Sequence, residues 1–312
     1  MSVSQNFLTS SLGVADSIQK AQIYPATERV EINDKFTKLI FSNTSFINGG
    51  NYGVDEKRKN KKKNKLITRF SISCDKSDNI YFSEFERDVL SVIISEQKAG
   101  NCYTTYNMIF RALIGKVGNK NVRPMKDQKA AIDNAVKKLI STIINFKNLA
   151  DSLEDIGYID SSDRPLVAIK ESSILPACTL DCFINGQLTE DVVFFDRLSP
   201  LLENAEHRNQ IVRYHADLLD VPNQRNTPRI IAIKNYILRR IAEIKLHKNM
   251  TQTITFDDLF KKCNIAHVNR HVKFDARLAT LDLFAHLKDK NFINSFDQVK
   301  HGTTIYAVKF SI

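Results

Sequence analysis

The chain has 312 residues, of which 43% are hydrophobic, and it carries a formal net charge of +10. This composition excludes wholesale disorder and is sufficient for two ordinary domains, while the charge favours a polyanionic partner, either nucleic acid or an acidic membrane surface. No apolar run approaches the ~20 residues of a membrane-spanning helix and the N-terminus lacks a secretory signal, so we expect a cytoplasmic or nucleoid-associated protein that does not span a membrane.

Residues 1–65 are predicted to be an N-terminal extension. Within it, "FTKLIF" (36–41) has the composition of a strand. The run "DEKRKNKKKNK" (55–65) has seven Lys or Arg among the nine residues from Lys57 to Lys65, so it repels itself and cannot bury an apolar face. We interpret this run as a mobile loop or linker. It is either a solvated segment, a non-specific phosphate-binding arm or a nuclear targeting signal.

Residues 66–206 are predicted to form a first domain that contains three helices. Ser83 and Glu86 make a capping box at the start of the first helix, in which each side chain satisfies a free amide. The second and third helices are predicted at 104–116 and 126–142.

Strands are predicted to follow the third helix. The segment 166–171 has the composition of a strand, and the segment 178–195 contains Asn185-Gly186, the strongest short signal for a β-hairpin. A short helix at 199–206 and a connector with two prolines at 218–229 come next, so we place the domain boundary between about 196 and 226.

Residues 207–312 are predicted to form a second domain with the same order of elements. Thr227 caps its first helix, with Pro228 at the first helical position, and a second helix begins at Thr255. The third helix is predicted over roughly Asn269 to Asp289.

The third helix of the second domain is predicted to turn Phe274, Leu278 and Leu281 toward the core, because these residues share one helical face. Strands at 292–296 and 303–310 are predicted to close the domain around the polar loop "DQVKHG".

Both domains therefore show the order helix, helix, helix, strand, turn, strand, which is typical of a winged helix, a helix-turn-helix fold with a β-hairpin wing. The predicted fold class is α+β, mainly α, with two winged-helix domains in tandem. In such a domain the third helix fits the major groove of double-stranded DNA, and the wing reaches the adjacent backbone or minor groove.

The side chains predicted to contact DNA lie on the polar faces of the two third helices and at the second wing tip. They are Lys126, Lys129, Asn134, Lys137, Lys138, Asn269, Arg270, Lys273, Arg277, Lys300 and His301. Each has an alternative explanation as part of the charged face that every surface helix exposes. The charge supports the DNA interpretation, because the segment from Arg208 to Ile312 has 18 Lys and Arg against 9 Asp and Glu.

The sequence predicts neither an active site nor a metal or cofactor site. It has no GxxxxGK[ST] loop, no GxGxxG and no His-x-His pair. Tyr103 and Tyr106 are the candidate nucleophiles of a DNA-nicking reaction, but no metal ligands accompany them. The close pairs Cys178 and Cys182, and His267 and His271, are residue types that bind metal, but neither pair has further ligands at a recognisable spacing.

The region 66–312 resembles the tandem winged-helix replication initiators of plasmids and phages. The likeness lies in the order of elements and in the connector "IVRYHADLLDVPNQRNTPRIIAIKNYILRRI" (211–241), which looks like the interdomain segment and long first helix of those proteins. The resemblance implies binding to repeated sites at an origin, opening of nearby AT-rich duplex and recruitment of a host helicase and other replisome proteins. It also implies a homodimer formed through the first winged helix.

Three other functions fit parts of the same pattern. A winged-helix transcriptional regulator would use the same DNA chemistry without an origin function. A DNA-nicking enzyme would use Tyr103 or Tyr106. A protein-interaction scaffold would use its winged helices to bind protein.

Overall fold

The computed structural model describes residues 26–42, 44–57, 65–74, 78–146, 172–184, 187–195, 197–207, 209–247 and 250–312, which form a mixed α and β architecture. The α-helices are α1 (Lys35–Ile40), α2 (Glu84–Lys98), α3 (Tyr106–Leu113), α4 (Lys126–Ser141), α5 (Pro200–His207), α6 (Pro228–Leu246), α7 (Phe256–Lys262) and α8 (Arg270–Asp289), and a 3₁₀ helix spans Ala216–Leu219. The strands are β1 (Glu28–Ile32), β2 (Phe46–Ile47), β3 (Asn51–Lys57), β4 (Lys65–Cys74), β5 (Asn79–Ile80), β6 (Tyr103–Thr105), β7 (Thr142–Phe146), β8 (Ser172–Ser173), β9 (Ala177–Ile184), β10 (Gln187–Phe195), β11 (Ile211–His215), β12 (Thr253–Thr255), β13 (Ser295–His301) and β14 (Thr304–Ser311).

One order of elements occurs twice along the chain. The first unit contains α2, β6, α3, α4, β9 and β10, and the second unit contains α6, β12, α7, α8, β13 and β14. In each unit the short strand pairs with the last long strand, which gives antiparallel sheets of order β6-β10-β9 and β12-β14-β13. The first unit differs by an insertion after α4, where β7 and β8 join β3 and β4 in a second, four-stranded sheet.

Corresponding helices of the two units begin and end in the same way. The hydroxyls of Thr105 and Thr255 each accept a hydrogen bond at 3.2 Å from the backbone N–H three residues on, so α3 and α7 start directly after a short strand. Left-handed residues follow both helices, Gly115 with φ of 83° and Asn264 with φ of 55°. A left-handed residue therefore ends both α3 and α7.

The segment predicted to be an N-terminal extension contributes to the fold. Strand β1 pairs with β11 from Glu28↔His215 to Ile32↔Ile211, and Val30 donates its backbone N–H to Ser95 on α2 at 2.8 Å. Strand β1 therefore contacts elements on both sides of the predicted domain boundary.

The predicted strand at 36–41 is wrong, because these residues form α1. Asp34 caps that helix, since its Oδ1 accepts a hydrogen bond from the Thr37 backbone N–H at 2.5 Å. Phe36 and Ile40 lie one turn apart and are both buried. A helix of a single turn and a half has too few periodic positions to be told from a strand by its apolar residues.

Two apolar cores meet at α6. Ile231 on α6 belongs to the core that contains α1, β4, α2, α3 and α4. Two residues further along, Ile233 belongs to the core beneath α7, α8 and the β13–β14 hairpin. Helix α6 is thus shared by both halves of the molecule.

The third helices at 126–142 and 269–289 are confirmed as α4 and α8. The short strands β6 and β12 did not appear among the predicted elements. The predicted strand at 166–171, the Asn185-Gly186 turn and residues 58–64 of the basic run lie outside the described residues.

Candidate nucleic-acid interface

An aromatic cluster fixes the last hairpin against α8. The ring centroid of Phe284 on α8 lies 5.7 Å from that of Phe296 on β13 and 5.5 Å from that of Phe310 on β14. Phe284 and Phe310 are buried, and Phe296 is half-buried. The hairpin and α8 are therefore held together by packing, not only by the chain that links them.

Arg277 fixes α8 against α7. Its guanidinium carbon lies 5.5 Å from the ring centroid of Phe256 and 5.2 Å from that of Phe260, both on α7. The side chain is half-buried by this stacking. Arg277 was predicted to face outward to DNA, and in the structure its charged group covers two aromatic rings of the neighbouring helix.

The other predicted residues of this helix lie at its N-terminal end. Asn269 is the N-cap, and its Oδ1 accepts a hydrogen bond from the Val272 backbone N–H at 3.0 Å. Arg270 is exposed and Lys273 is half-buried. The two cations thus lie within the first turn of α8, where the helix dipole is positive as well.

The predicted core face of α8 is wrong in its N-terminal half. Phe274 is 55% exposed and Leu278 is 45% exposed, whereas Ala276 and Ala279 are buried. The buried stripe continues through Leu283 and the residues that follow. In this half of α8 the small residues lie against the neighbouring elements, and Phe274 and Leu278 face solvent.

The hairpin tip carries two of the predicted DNA contacts. Lys300 and His301 are exposed and end β13, and His301 pairs with Thr304 across a two-residue turn. Gly302 supplies the turn with its φ of 61°. The extra residue Tyr306 forms a β-bulge that increases the local twist of the hairpin.

The predicted strand boundary at 292–296 is wrong, because β13 covers residues 295–301 instead. Asn291, with φ of 55°, ends α8, and the Phe292 backbone N–H donates to the Leu287 carbonyl at 2.8 Å. Phe292 therefore belongs to the C-terminal cap of α8.

Helix α4 of the first unit presents its predicted residues in two ways. Lys126 and Asn134 are exposed. Lys137 is also exposed, and its Nζ lies 2.8 Å from an oxygen of Asp133, one turn earlier. Such a surface pair contributes little to stability and leaves the lysine able to reorient.

The remaining two lysines of α4 are held within the domain. Lys129 Nζ lies 2.5 Å from Asp191 on β10, and Lys138 Nζ lies 3.1 Å from Glu86 on α2. The Lys138 ammonium also lies 4.3 Å from the ring centroid of Tyr81. The first unit therefore offers fewer mobile cations on its third helix than the sequence implied.

A cleft of about 710 Å³ runs between α8 and the connector that precedes α6. Asp275 and Asp282 line its α8 side, and Arg225 and Arg229 line the opposite side. The cleft is thus lined by acidic side chains of α8 and by arginines of the same chain, while Arg270 does not line it.

A buried ionic cluster joins the two halves of the chain, with Glu31 of β1 at its centre. Glu31 accepts hydrogen bonds from Arg29 at 3.2 Å, Ser91 at 2.7 Å, Tyr214 at 3.0 Å and Arg239 at 3.2 Å. Burial alone would raise the pKa of Glu31, but the charges of the neighbouring arginines outweigh burial and lower this pKa to about 2.

Asp88 of α2 belongs to the same cluster but has fewer partners. Its Oδ1 accepts from Arg239 at 3.1 Å, and its Oδ2 has no hydrogen-bond partner. Burial, together with the negative charges of Glu31 and Glu84, raises the pKa of Asp88 well above its usual range despite the arginine. Arg239 of α6 also pairs with Glu84, so one side chain of the second unit links β1 and α2.

The candidates for catalysis are not assembled into a site in the described residues. Tyr103 is 8% exposed and Tyr106 is 3% exposed, and the Tyr106 hydroxyl donates to Asp133 at 2.8 Å. Across the described ranges, no group of three or more His, Cys, Asp or Glu is placed to hold a metal ion. No helix in these ranges is both long enough and apolar enough to cross a membrane.

Comparisons with known proteins gave no match in sequence and weak matches in structure. No family model matches the chain, and no curated protein matches its sequence. Two similar solved structures are a selenomethionine derivative of domains 2 and 3 of RctB (8% identity, TM-score 0.37, 88% of this chain and 98% of that chain) and RctB domains 2-3 (9% identity, TM-score 0.36, 86% and 93%). TM-scores this low do not establish a shared fold.

Proposed function

We propose that this chain is a non-enzymatic, sequence-specific double-stranded DNA-binding protein with two winged helices, and that it initiates replication of a plasmid, phage or mobile element. The observation that carries the proposal is the repeated topology. Two units share the sheet orders β6-β10-β9 and β12-β14-β13, each beside three helices. That arrangement puts a third helix next to a two-stranded hairpin, which is the DNA-binding geometry of a winged helix.

The second unit is the principal DNA-binding module of this proposal. Arg270 and Lys273 lie in the first turn of α8, and Lys300 lies at the hairpin tip that the Phe284 cluster holds against the helix. Cations at the end of a groove-binding helix reach bases and phosphates, and a basic hairpin tip reaches the neighbouring backbone.

The first unit is proposed to bind in the same way but with a weaker contact. Its α4 exposes Lys126, Asn134 and Lys137. The ion pairs of Lys129 and Lys138 hold those two side chains toward β10 and α2. We therefore expect α4 to contribute fewer phosphate contacts than α8.

The proposal that the chain acts at a replication origin is supported by the resemblance of residues 66–312 to the tandem winged-helix initiators. It includes repeated binding sites, a host helicase and other replisome proteins as partners, and a homodimer. A plasmid-maintenance assay with the gene and its flanking DNA tests it. Maintenance that depends on the gene supports an initiator, whereas operator repression without maintenance supports the alternative, a transcriptional regulator.

DNA binding itself is tested by selecting bound duplexes from a random pool and measuring their affinity against salt concentration. We expect an enriched sequence and a logarithmic salt dependence of roughly 0.9 per phosphate contacted. Replacing Arg270→Ala together with Lys273→Ala should weaken binding to the selected duplex at least about tenfold, since one good base contact contributes ~1–3 kcal/mol.

The matched control removes the same charge from the other end of the helix. Lys288 lies in the last turn of α8 and Lys290 is its C-cap, and both are exposed. Lys288→Ala with Lys290→Ala should leave preference for the selected duplex intact. Equal losses in the two double variants would show that α8 acts only as a diffuse positive charge, and absence of any enriched duplex would refute specific DNA binding.

A further inference from the structure

Phe274 and Leu278 form an apolar pair on the solvent-facing side of α8. They lie one helical turn apart and are 55% and 45% exposed, although the same helix buries five other apolar side chains: Ala276, Ala279, Leu283, Phe284 and Leu287. A phenylalanine and a leucine left in water on one face of a helix mark a surface that another molecule covers.

The charges around the pair indicate what that molecule is. Arg270 precedes Phe274 by one turn on the same exposed face, and Lys273 is its immediate neighbour in sequence. Leu278 lines the cleft toward the connector together with Asp275 and Asp282, and two further cations, Arg225 and Arg229, line that cleft as well. The apolar pair is therefore bordered at the N-terminal end of α8 by cations, which favours a polyanion over an acidic or neutral protein surface as the partner.

We propose that Phe274 and Leu278 contact the 5-methyl groups of thymines in the major groove, so that α8 selects thymine at defined positions of its site. This inference rests on the proposed function, because it requires α8 to enter the groove. Thymine is the one base that presents an apolar group there, and the edges of the other bases offer hydrogen-bonding groups that a phenylalanine or leucine would leave unsatisfied.

The test exchanges thymine for deoxyuridine, one position at a time, in the duplex that the wild-type chain selects. Deoxyuridine lacks only the methyl group and keeps every hydrogen bond of the base pair. We expect an affinity loss of about fourfold at the contacted thymines, the factor expected for burying one methyl-sized group. Phe274→Ala should bind the thymine and deoxyuridine duplexes equally at one of those positions, and Leu278→Ala at another.

The control is Leu246→Ala, which removes an equally apolar side chain that is 60% exposed at the end of α6. It should keep the full response to deoxyuridine. Melting temperatures close to that of the wild type would show that the α8 variants are folded, as their exposure implies.

Several results would overturn the inference. One is a wild-type chain that selects a duplex but binds it with the same affinity whichever thymine is replaced by deoxyuridine. Another is a Phe274→Ala variant that loses affinity at the same deoxyuridine positions as the wild type. In both cases DNA binding itself would stand. A chain that selects no duplex at all would instead refute the proposed function, and the thymine contact with it.

Discussion

Gly115 is a single residue that fixes the end of α3 and the approach of the connector. Its φ of 83° is in the left-handed region, and a Cβ built on it would lie 2.5 Å from the backbone nitrogen of Asp220. We expect Gly115→Ala to lower the free energy of unfolding by about 2 kcal/mol or more, because it adds backbone strain to a clash with main-chain atoms. Urea unfolding at neutral pH measures the loss.

Gly118 provides the matched control for this glycine. It lies three residues further along, and its φ is not positive. A Cβ built on Gly118 would meet nothing within 4 Å. Gly118→Ala should change the unfolding free energy by about 0.5 kcal/mol at most. Equal effects of the two substitutions would show that Gly115 is not required by its conformation.

At the same scale, the error over Phe274 and Leu278 shows what apolar periodicity cannot resolve. The two residues and Leu281 make one regular stripe, while Ala276 and Ala279 belong to another, less apolar stripe. The structure buries the second, because small side chains let α8 lie close to the connector, where Gln224 Nε2 donates to the Ala279 carbonyl at 3.0 Å. How closely α8 approaches the connector depends on the shape of the connector, which the local sequence of α8 does not contain.

At the scale of elements, Phe284 connects the proposed DNA-binding helix to its hairpin. Phe284→Ala removes a completely buried ring that packs against Phe296 of β13 and Phe310 of β14, so we expect a loss of about 3–5 kcal/mol in unfolding free energy. Hydrogen exchange should show faster exchange of the hairpin amides than of α2. Phe274→Ala, on the same helix but half exposed, is the control and should cost about 0.5 kcal/mol or less.

Thr255 governs the start of α7 in the second unit. Its Oγ1 accepts from the Asp258 backbone N–H at 3.2 Å and lies 3.0 Å from the Asp258 carboxylate. Thr255→Val keeps the shape but removes the cap, so a loss of about 1 kcal/mol in unfolding free energy is expected. Thr304→Val at an exposed position of β14 is the control, and an equal loss there would argue against a capping role.

Elements with local signals were predictable from the sequence. The Ser83–Glu86 capping box and the Thr227 cap with Pro228 stand as predicted. The three-residue strands β6 and β12 were missed, because a strand that short exists only through its pairing with a distant hairpin strand. In both places a threonine cap follows a β-branched residue, as Thr104-Thr105 and as Ile254-Thr255, and this is the sequence feature that could have located both strands.

At the scale of the whole molecule, the ionic cluster could not be predicted, because its members are far apart in sequence. Arg239 is 208 residues from Glu31 and 151 residues from Asp88. Each residue alone has the appearance of a surface charge, and only the folded chain desolvates them together. Breaking one partner of such a buried set leaves the others uncompensated, so the cluster ties β1, α2 and α6 into one cooperative structure.

The two carboxylates at the centre of this cluster should respond to neutralisation in opposite ways. Glu31 has a pKa of about 2 in the folded chain, below its ordinary 4.5, so its ionised form stabilises the fold above pH 4.5 and that stabilisation is lost as pH falls toward 2. Asp88 has a raised pKa, so its ionisation costs stability as pH rises above its ordinary 3.8.

We therefore expect Glu31→Gln to lose about 3 kcal/mol or more at pH 7, with a deficit that shrinks between pH 4.5 and 2. Asp88→Asn keeps the oxygen that accepts from Arg239 and removes a carboxylate that the site disfavours, so it should match or exceed wild-type stability at pH 7. Urea unfolding of the three chains at pH 7, 4 and 3 measures both effects, and a larger loss for Asp88→Asn than for Glu31→Gln would mean that Asp88, not Glu31, carries the charge that balances Arg239.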